Sequence, residues 1–167
     1  MTEVSGLPAH VLLVHAVIVL LPLAALCVAV SAVWPAARRR LGIVTPLLAI
    51  AVAILVPVTA NAGEWLLPRV GGAPLAVEHA GFGRTMWWWS TALAVVAIAQ
   101  YLWSRRAARG ARGEDAESGG GDGGGPRWVA VVLLVLALAV PAGAVFRTVQ
   151  TGESGTRAVW EGSFSTD

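Results

Sequence analysis

The chain has 167 residues, of which 56% are hydrophobic and 13% charged, with a formal net charge of +2 and a mean hydropathy of +0.69. A soluble domain averages about 25% charged residues, so roughly half of the usual polar surface is missing, and the composition falls outside the soluble globular range. The basic balance rests on twelve Arg and no Lys, and a net +2 is too weak to argue for a nucleic-acid partner.

Four long apolar runs are read in chain order as membrane spans at about 8–34, 42–62, 80–103 and 128–147. Each is close to the ~20 residues that cross ~30 Å of hydrocarbon, and the fold class expected is an all-α, polytopic membrane four-helix bundle. Ahead of the first run stands Glu3 rather than a basic region, and the run is far longer than the ~7–15 residues of a signal core, so it reads as a retained helix. It holds Pro8, suited to a first helical turn, Pro22 inside it, and Cys27, a single cysteine read as a small packed apolar residue. The second run contains Pro46 and Pro57, the third begins anywhere between 76 and 85, and the fourth carries Pro141 near its end. Membrane helices tolerate such prolines.

The connections set an orientation. Arg38, Arg39 and Arg40 follow the first run; Arg105, Arg106, Arg109, Arg112 and Arg127 lie around the third connection; the other face has Arg69, Arg84, Arg147 and Arg157. By the positive-inside rule the first group is cytoplasmic and both termini point outward, with Trp34, Trp103 and Trp128 as an inner aromatic belt. The segment 105–126, with GGGDGGG and the acids Glu114, Asp115, Glu117 and Asp122, reads as a flexible cytoplasmic linker.

All three histidines fall at the outer end. His10 stands 24 residues before Trp34 and His79 stands 24 before Trp103, which puts both imidazoles at one depth, ~36 Å from the inner tryptophans. His15 is deeper, among apolar neighbours, and level with Arg84. About 140° of helix rotation separates His10 from His15, so the two do not share a face. Glu64 (in NAGEW) and Glu153 (in TGESG) complete an outer layer to which every span contributes an ionisable group. Solvated helix ends are the plain reading of His10, His79, Glu64 and Glu153, and an interhelical hydrogen bond that of His15. The three rings of Trp87, Trp88 and Trp89 fan around their helix, which predicts an aromatic belt with one ring packed inward, or a ring stacked on a flat cofactor. Spans one and three share the His-to-Trp spacing, and spans two and four share Val-Pro (Val56-Pro57, Val140-Pro141), the pattern of a 2+2 parallel duplication.

The opening GLPAHVLLVHAVIVLLPL resembles the start of a bacterial membrane family, domain-of-unknown-function family 2231, whose usual opening looks like LPxHPLLVHxxIxLLPL. The ending RTVQTGESGTRAVWEG is similar to an actinobacterial branch carrying TGHSG. The resemblance covers essentially the whole chain. It implies a four-span protein of the bacterial inner membrane, with His10, His15 and His79 as its polar positions. It also implies membrane redox chemistry, since relatives are joined to c-type cytochrome or Rieske-type modules. Two departures matter: Val11 replaces a proline, and Glu153 stands where that branch has histidine, which weakens a soft-metal or haem ligand there.

Three functions compete. Haem b or another redox group would use axial imidazoles among His15, His79 and His10, and a membrane redox partner. A Zn or Cu site would draw on His10, His15, His79, Glu64 and Glu153, converging within ~2.0–2.2 Å of one point. A scaffold without cofactor would show an outer layer of scattered, water-exposed side chains. A hydrolase lacks GxSxG, and a transporter lacks an ionisable residue at the midplane.

Overall fold

The computed structural model describes residues 3–4, 6–110 and 126–161. The glycine-rich part of the expected linker, residues 111–125 with its four acids and Arg112, lies outside the described residues. Two short strands, β1 (Glu3–Val4) and β2 (Leu7–Pro8), pair antiparallel ahead of the first helix. Gly6 between them takes φ +80°, a conformation that L side chains rarely adopt.

The rest is helical. Helix α1 (Ala9–Val33) ends at Trp34, whose φ −121° and ψ 102° are extended because Pro35 disfavours α geometry in the residue before it. Pro35 opens the short helix α2 (Pro35–Leu41), with Arg38, Arg39 and Arg40 at its negative C-terminal end. Helix α3 (Val44–Leu66) runs back and tightens into a 3-10 turn over Leu67–Val70. The chain then reverses through Gly71 and Gly72, at φ +80° and +61°, into α4 (Pro74–Gly110), and α5 (Arg127–Trp160) returns. Thus α4 begins at Pro74, ahead of the expected span, and α5 continues thirteen residues past Arg147 to Trp160. Gly152 and Gly155 disfavour helix locally, but this extension packs on the first turns of α4, and tertiary contacts override propensity.

The four long helices pack in the ring order α1, α3, α4, α5, with α1 and α4 also touching across the diagonal. Their buried faces combine alanines (Ala24, Ala25, Ala49, Ala94, Ala97, Ala137 and Ala144) with larger side chains such as Leu21, Val28, Val52 and Leu93. Many other large apolar side chains point away from the bundle, as with Val19, Leu26, Ile54, Val95, Leu102 and Val135. A soluble bundle exposes far fewer such groups, whereas lipid accepts apolar cover outside, and small residues allow close backbone approach inside. Trp89 lies over Gly143, where any Cβ would collide with the ring, while Trp87 and Trp88 are exposed and stacked on each other. Among the described residues three helical stretches are long and apolar enough to cross a membrane: Ala9–Val33, Val44–Val70 and Arg127–Trp160.

Candidate functional site

The alternation of helix direction brings the start of α1, the end of α3, the start of α4 and the extended end of α5 to one pole. An apolar cavity of about 470 Å³ opens there, with His10 and His79 in its wall. That volume is in the range of small-molecule and cofactor sites, about 300–1,000 Å³.

Each imidazole is held by the next helix in the ring. Nδ1 of His10 lies 2.9 Å from the Thr59 carbonyl oxygen on α3. Nδ1 of His79 lies 3.1 Å from the Thr151 carbonyl oxygen on α5 and 3.0 Å from Ser154 Oγ. A carbonyl only accepts, so both Nδ1 atoms carry their proton and donate, which leaves Nε2 as the lone-pair nitrogen of the neutral tautomer. The ring centroids are 6.1 Å apart, with planes at 73°.

The two seats have the same construction. One turn beyond Thr59 is Gly63, where a Cβ would stand 2.9 Å from the His10 ring; one turn beyond Thr151 is Gly155, where a Cβ would stand 3.0 Å from His79 Cε1. Thr59 and Thr151 each turn the hydroxyl back to a carbonyl four residues earlier, Leu55 and Arg147 respectively. A threonine carbonyl holds the ring nitrogen, and a glycine four residues on makes room for the ring. The sequence reading did not single out Thr59, Gly63, Thr151 or Gly155. Their signal is the shared T-x-x-x-G spacing of TANAG and TGESG.

His79 is half-buried. Burial first, and the nearby His10 second, push its pKa below the ordinary value of 6.5, against an upward pull from the Thr151 carbonyl.

The remaining expected site residues stand apart from this pair. His15 is exposed, its Nδ1 2.6 Å from the carbonyl of Val11 on its own helix, and it does not line the cavity. Glu64 is exposed on the cavity rim. Glu153 is exposed and engages Arg157 at 2.7 Å, one turn along α5. Among the described residues no three His, Cys, Asp or Glu side chains come together as a metal-binding group. Convergence of His10, His15, His79, Glu64 and Glu153 on a single ion is thus not what the fold assembles.

A family model described as a predicted membrane protein (DUF2231) matches residues 6–167. No curated protein and no solved structure gives a significant match.

Proposed function

The chain belongs to the DUF2231 family of predicted membrane proteins, and from that premise we propose that it is a four-span redox protein holding haem b between His10 and His79. The observation that carries this reading is the pair of pre-oriented neutral imidazoles, each spending Nδ1–H on a carbonyl, with Nε2 as the lone-pair nitrogen. Metal-ligating histidines are oriented in this way, by an outer hydrogen bond on the other nitrogen. The two ring centroids lie 6.1 Å apart, so His10 and His79 are the residues that would hold one shared group. The apolar cavity wall and the like construction of the two seats fit a flat, symmetric group. Haem bound there would supply one-electron transfer. The protein's part is to fix the tautomers, keep water from the apolar wall and hold both rings at one level.

In this reading α4 is the fourth span. Its exposed Trp87, Trp88, Val95, Ile98 and Leu102 continue the apolar outer surface of the other three helices. Trp87 to Trp89, Gln100 and Tyr101 lower its hydropathy, although an indole ring is largely apolar and suits the membrane interface. The arginine distribution supports an inner-membrane location with both termini outside the cytoplasm. A small Zn or Cu site has less support, because two imidazoles fall short of the three protein ligands that zinc sites use.

The test is an absorption spectrum of the detergent-purified protein, oxidised in air and then reduced with dithionite, with metal analysis of the same sample. A Soret band with sharp reduced α and β bands, lost in both His10→Ala and His79→Ala and retained in His15→Ala, is the expected result. A colourless, iron-free protein that also fails to take up added haemin would overturn the haem reading in favour of a scaffold.

A further inference from the structure

A second cavity, of about 720 Å³, lies at the opposite pole, bounded by the end of α1, by α2, by the start of α3 and by the last turns of α4. Three buried side-chain atoms among the described residues lack a hydrogen-bond partner: Ser31 Oγ, Thr45 Oγ1 and Arg38 Nε. All three belong to residues lining this one cavity. Ser31 and Thr45 are each only 3% exposed, so bulk water does not satisfy them. Buried polar groups in folded proteins are nearly always partnered, and three orphans around one space point to an occupant that supplies the acceptors.

Among the described residues the charge around the cavity has one sign. Arg39 and Arg105 line it together with Arg38. The described acids (Glu3, Glu64, Glu78, Glu153 and Glu161) all belong to the histidine pole, by their positions at the start of α1 and α4 and the end of α3 and α5. Among the described residues Arg105 bonds Tyr101 Oη, at 3.1 Å, and Arg38 the Ala32 carbonyl, at 3.5 Å, and neither meets a carboxylate. Guanidinium groups and hydroxyls together demand an anion with more acceptor oxygens than the two of a carboxylate. A phosphate meets that demand, and the rim of a membrane bundle is where phosphate headgroups lie.

We propose that this cavity is a phosphate-binding site, held by Arg38, Arg39 and Arg105 with the Ser31 and Thr45 hydroxyls. The same chemistry is offered by the headgroup of an anionic phospholipid and by free inorganic phosphate. The site is separate from the histidine pair and stands whether or not haem binds.

Thermal melting of the full chain distinguishes the sources. Detergent micelles are doped with phosphatidylglycerol or phosphatidylcholine, and in a separate series inorganic phosphate is titrated against chloride at equal ionic strength. Phosphatidylglycerol is expected to raise the melting temperature over phosphatidylcholine. Arg38→Gln/Arg105→Gln should weaken that response by about tenfold or more. Arg40→Gln/Arg106→Gln, which removes the same charge outside the cavity, should leave it within about twofold. The same pattern with inorganic phosphate alone assigns the site to the free anion. Thr45→Val keeps every charge and should also weaken the response, which covers the case of an arginine variant that fails to fold. No response to either probe, or equal losses in the two double variants, overturns the proposal.

Discussion

The α1–α3 hairpin and the α4–α5 hairpin seat their histidines alike, and the likeness extends through the core. Shifting α1 by 69 residues, the distance from His10 to His79, carries buried Val17, Leu21, Ala24, Ala25, Val28 and Ser31 onto buried Met86, Ser90, Leu93, Ala94, Ala97 and Gln100. Shifting α3 by 92 residues, the distance from Thr59 to Thr151, carries buried Thr45, Ala49, Val52 and Val56 onto buried Ala137, Pro141, Ala144 and Thr148. Heptad-like burial repeats in any bundle, but the histidine seats fix the phase, and most buried positions then agree, with Ala9 against exposed Glu78 and Pro46 against exposed Leu138 as exceptions. The differences are instructive too. His15 corresponds to Arg84, and both are exposed; Ala62 corresponds to Ser154, so only the second seat has a hydroxyl beside its ring. The common features belong to the seats that hold His10 and His79, and the divergent ones to each half's own surroundings.

The largest expected effect breaks the pair itself. Replacing either His10 or His79 by Ala should remove the reduced α band completely, and the two losses should be equal if the halves are equivalent. An α band surviving in one of them would show that the pair is not the site. Next come the glycines. Gly63→Ala and Gly155→Ala each put a methyl group about 3 Å from an imidazole. Overpacking of this kind typically costs about 1–3 kcal/mol. The expected outcome is a lower melting temperature in both variants, with a shifted or weakened Soret band, and a markedly smaller effect at one glycine would mean that its ring has room to move.

How much of this was legible in the sequence follows from what each inference rested on. Span length, arginine placement and the equal His-to-Trp spacing are counting arguments along single helices, and they led to four helices with His10 and His79 at one pole. The 140° separation of His10 from His15 implied that the two do not share a face, but not which face meets the bundle, because helix rotation is set by packing partners. The threonine–glycine seats lie on other helices, so nothing local to the histidines announces them. Ending the fourth span at about 147 left TGESG beyond it and hid the second seat, and Val-Pro aligned α3 with α5 eight residues out of the register that the seats define. The unpartnered hydroxyls of Ser31 and Thr45 were invisible for the same reason: satisfaction of a polar group is a property of the assembled bundle.

A smaller effect concerns protons. Because the folded pKa of His79 lies below 6.5, the unfolded chain binds the proton more readily once the pH drops past that value. Stability is then full above about pH 6.5 and declines as the pH falls toward the folded pKa. Melting of the haem-free protein from about pH 8 to 5 should show this decline, and His79→Gln should flatten it. His10→Phe removes one of the two causes that lower the pKa, so it should narrow the window. An unchanged profile in His79→Gln would assign the proton uptake elsewhere.

The smallest effect tests the asymmetry between the halves. Ser154 Oγ donates to the Thr151 carbonyl at 2.9 Å and sits 3.0 Å from His79 Nδ1. A carbonyl shared by hydroxyl and imidazole fixes the ring more tightly than the lone Thr59 carbonyl fixes His10. Ser154→Ala should therefore make the second seat resemble the first, at a cost of about 0.5–1.5 kcal/mol, the net worth of an ordinary intramolecular hydrogen bond. Ala62→Ser introduces the same hydroxyl at the equivalent place on α3. If the hydroxyl's role is to restrain the ring, Ser154→Ala should broaden the low-temperature α band, and Ala62→Ser should leave it as sharp or sharpen it. If Ser154 only ties down the end of α5, the melting temperature falls while the band is unaltered, and the two seats are functionally the same despite the extra hydrogen bond.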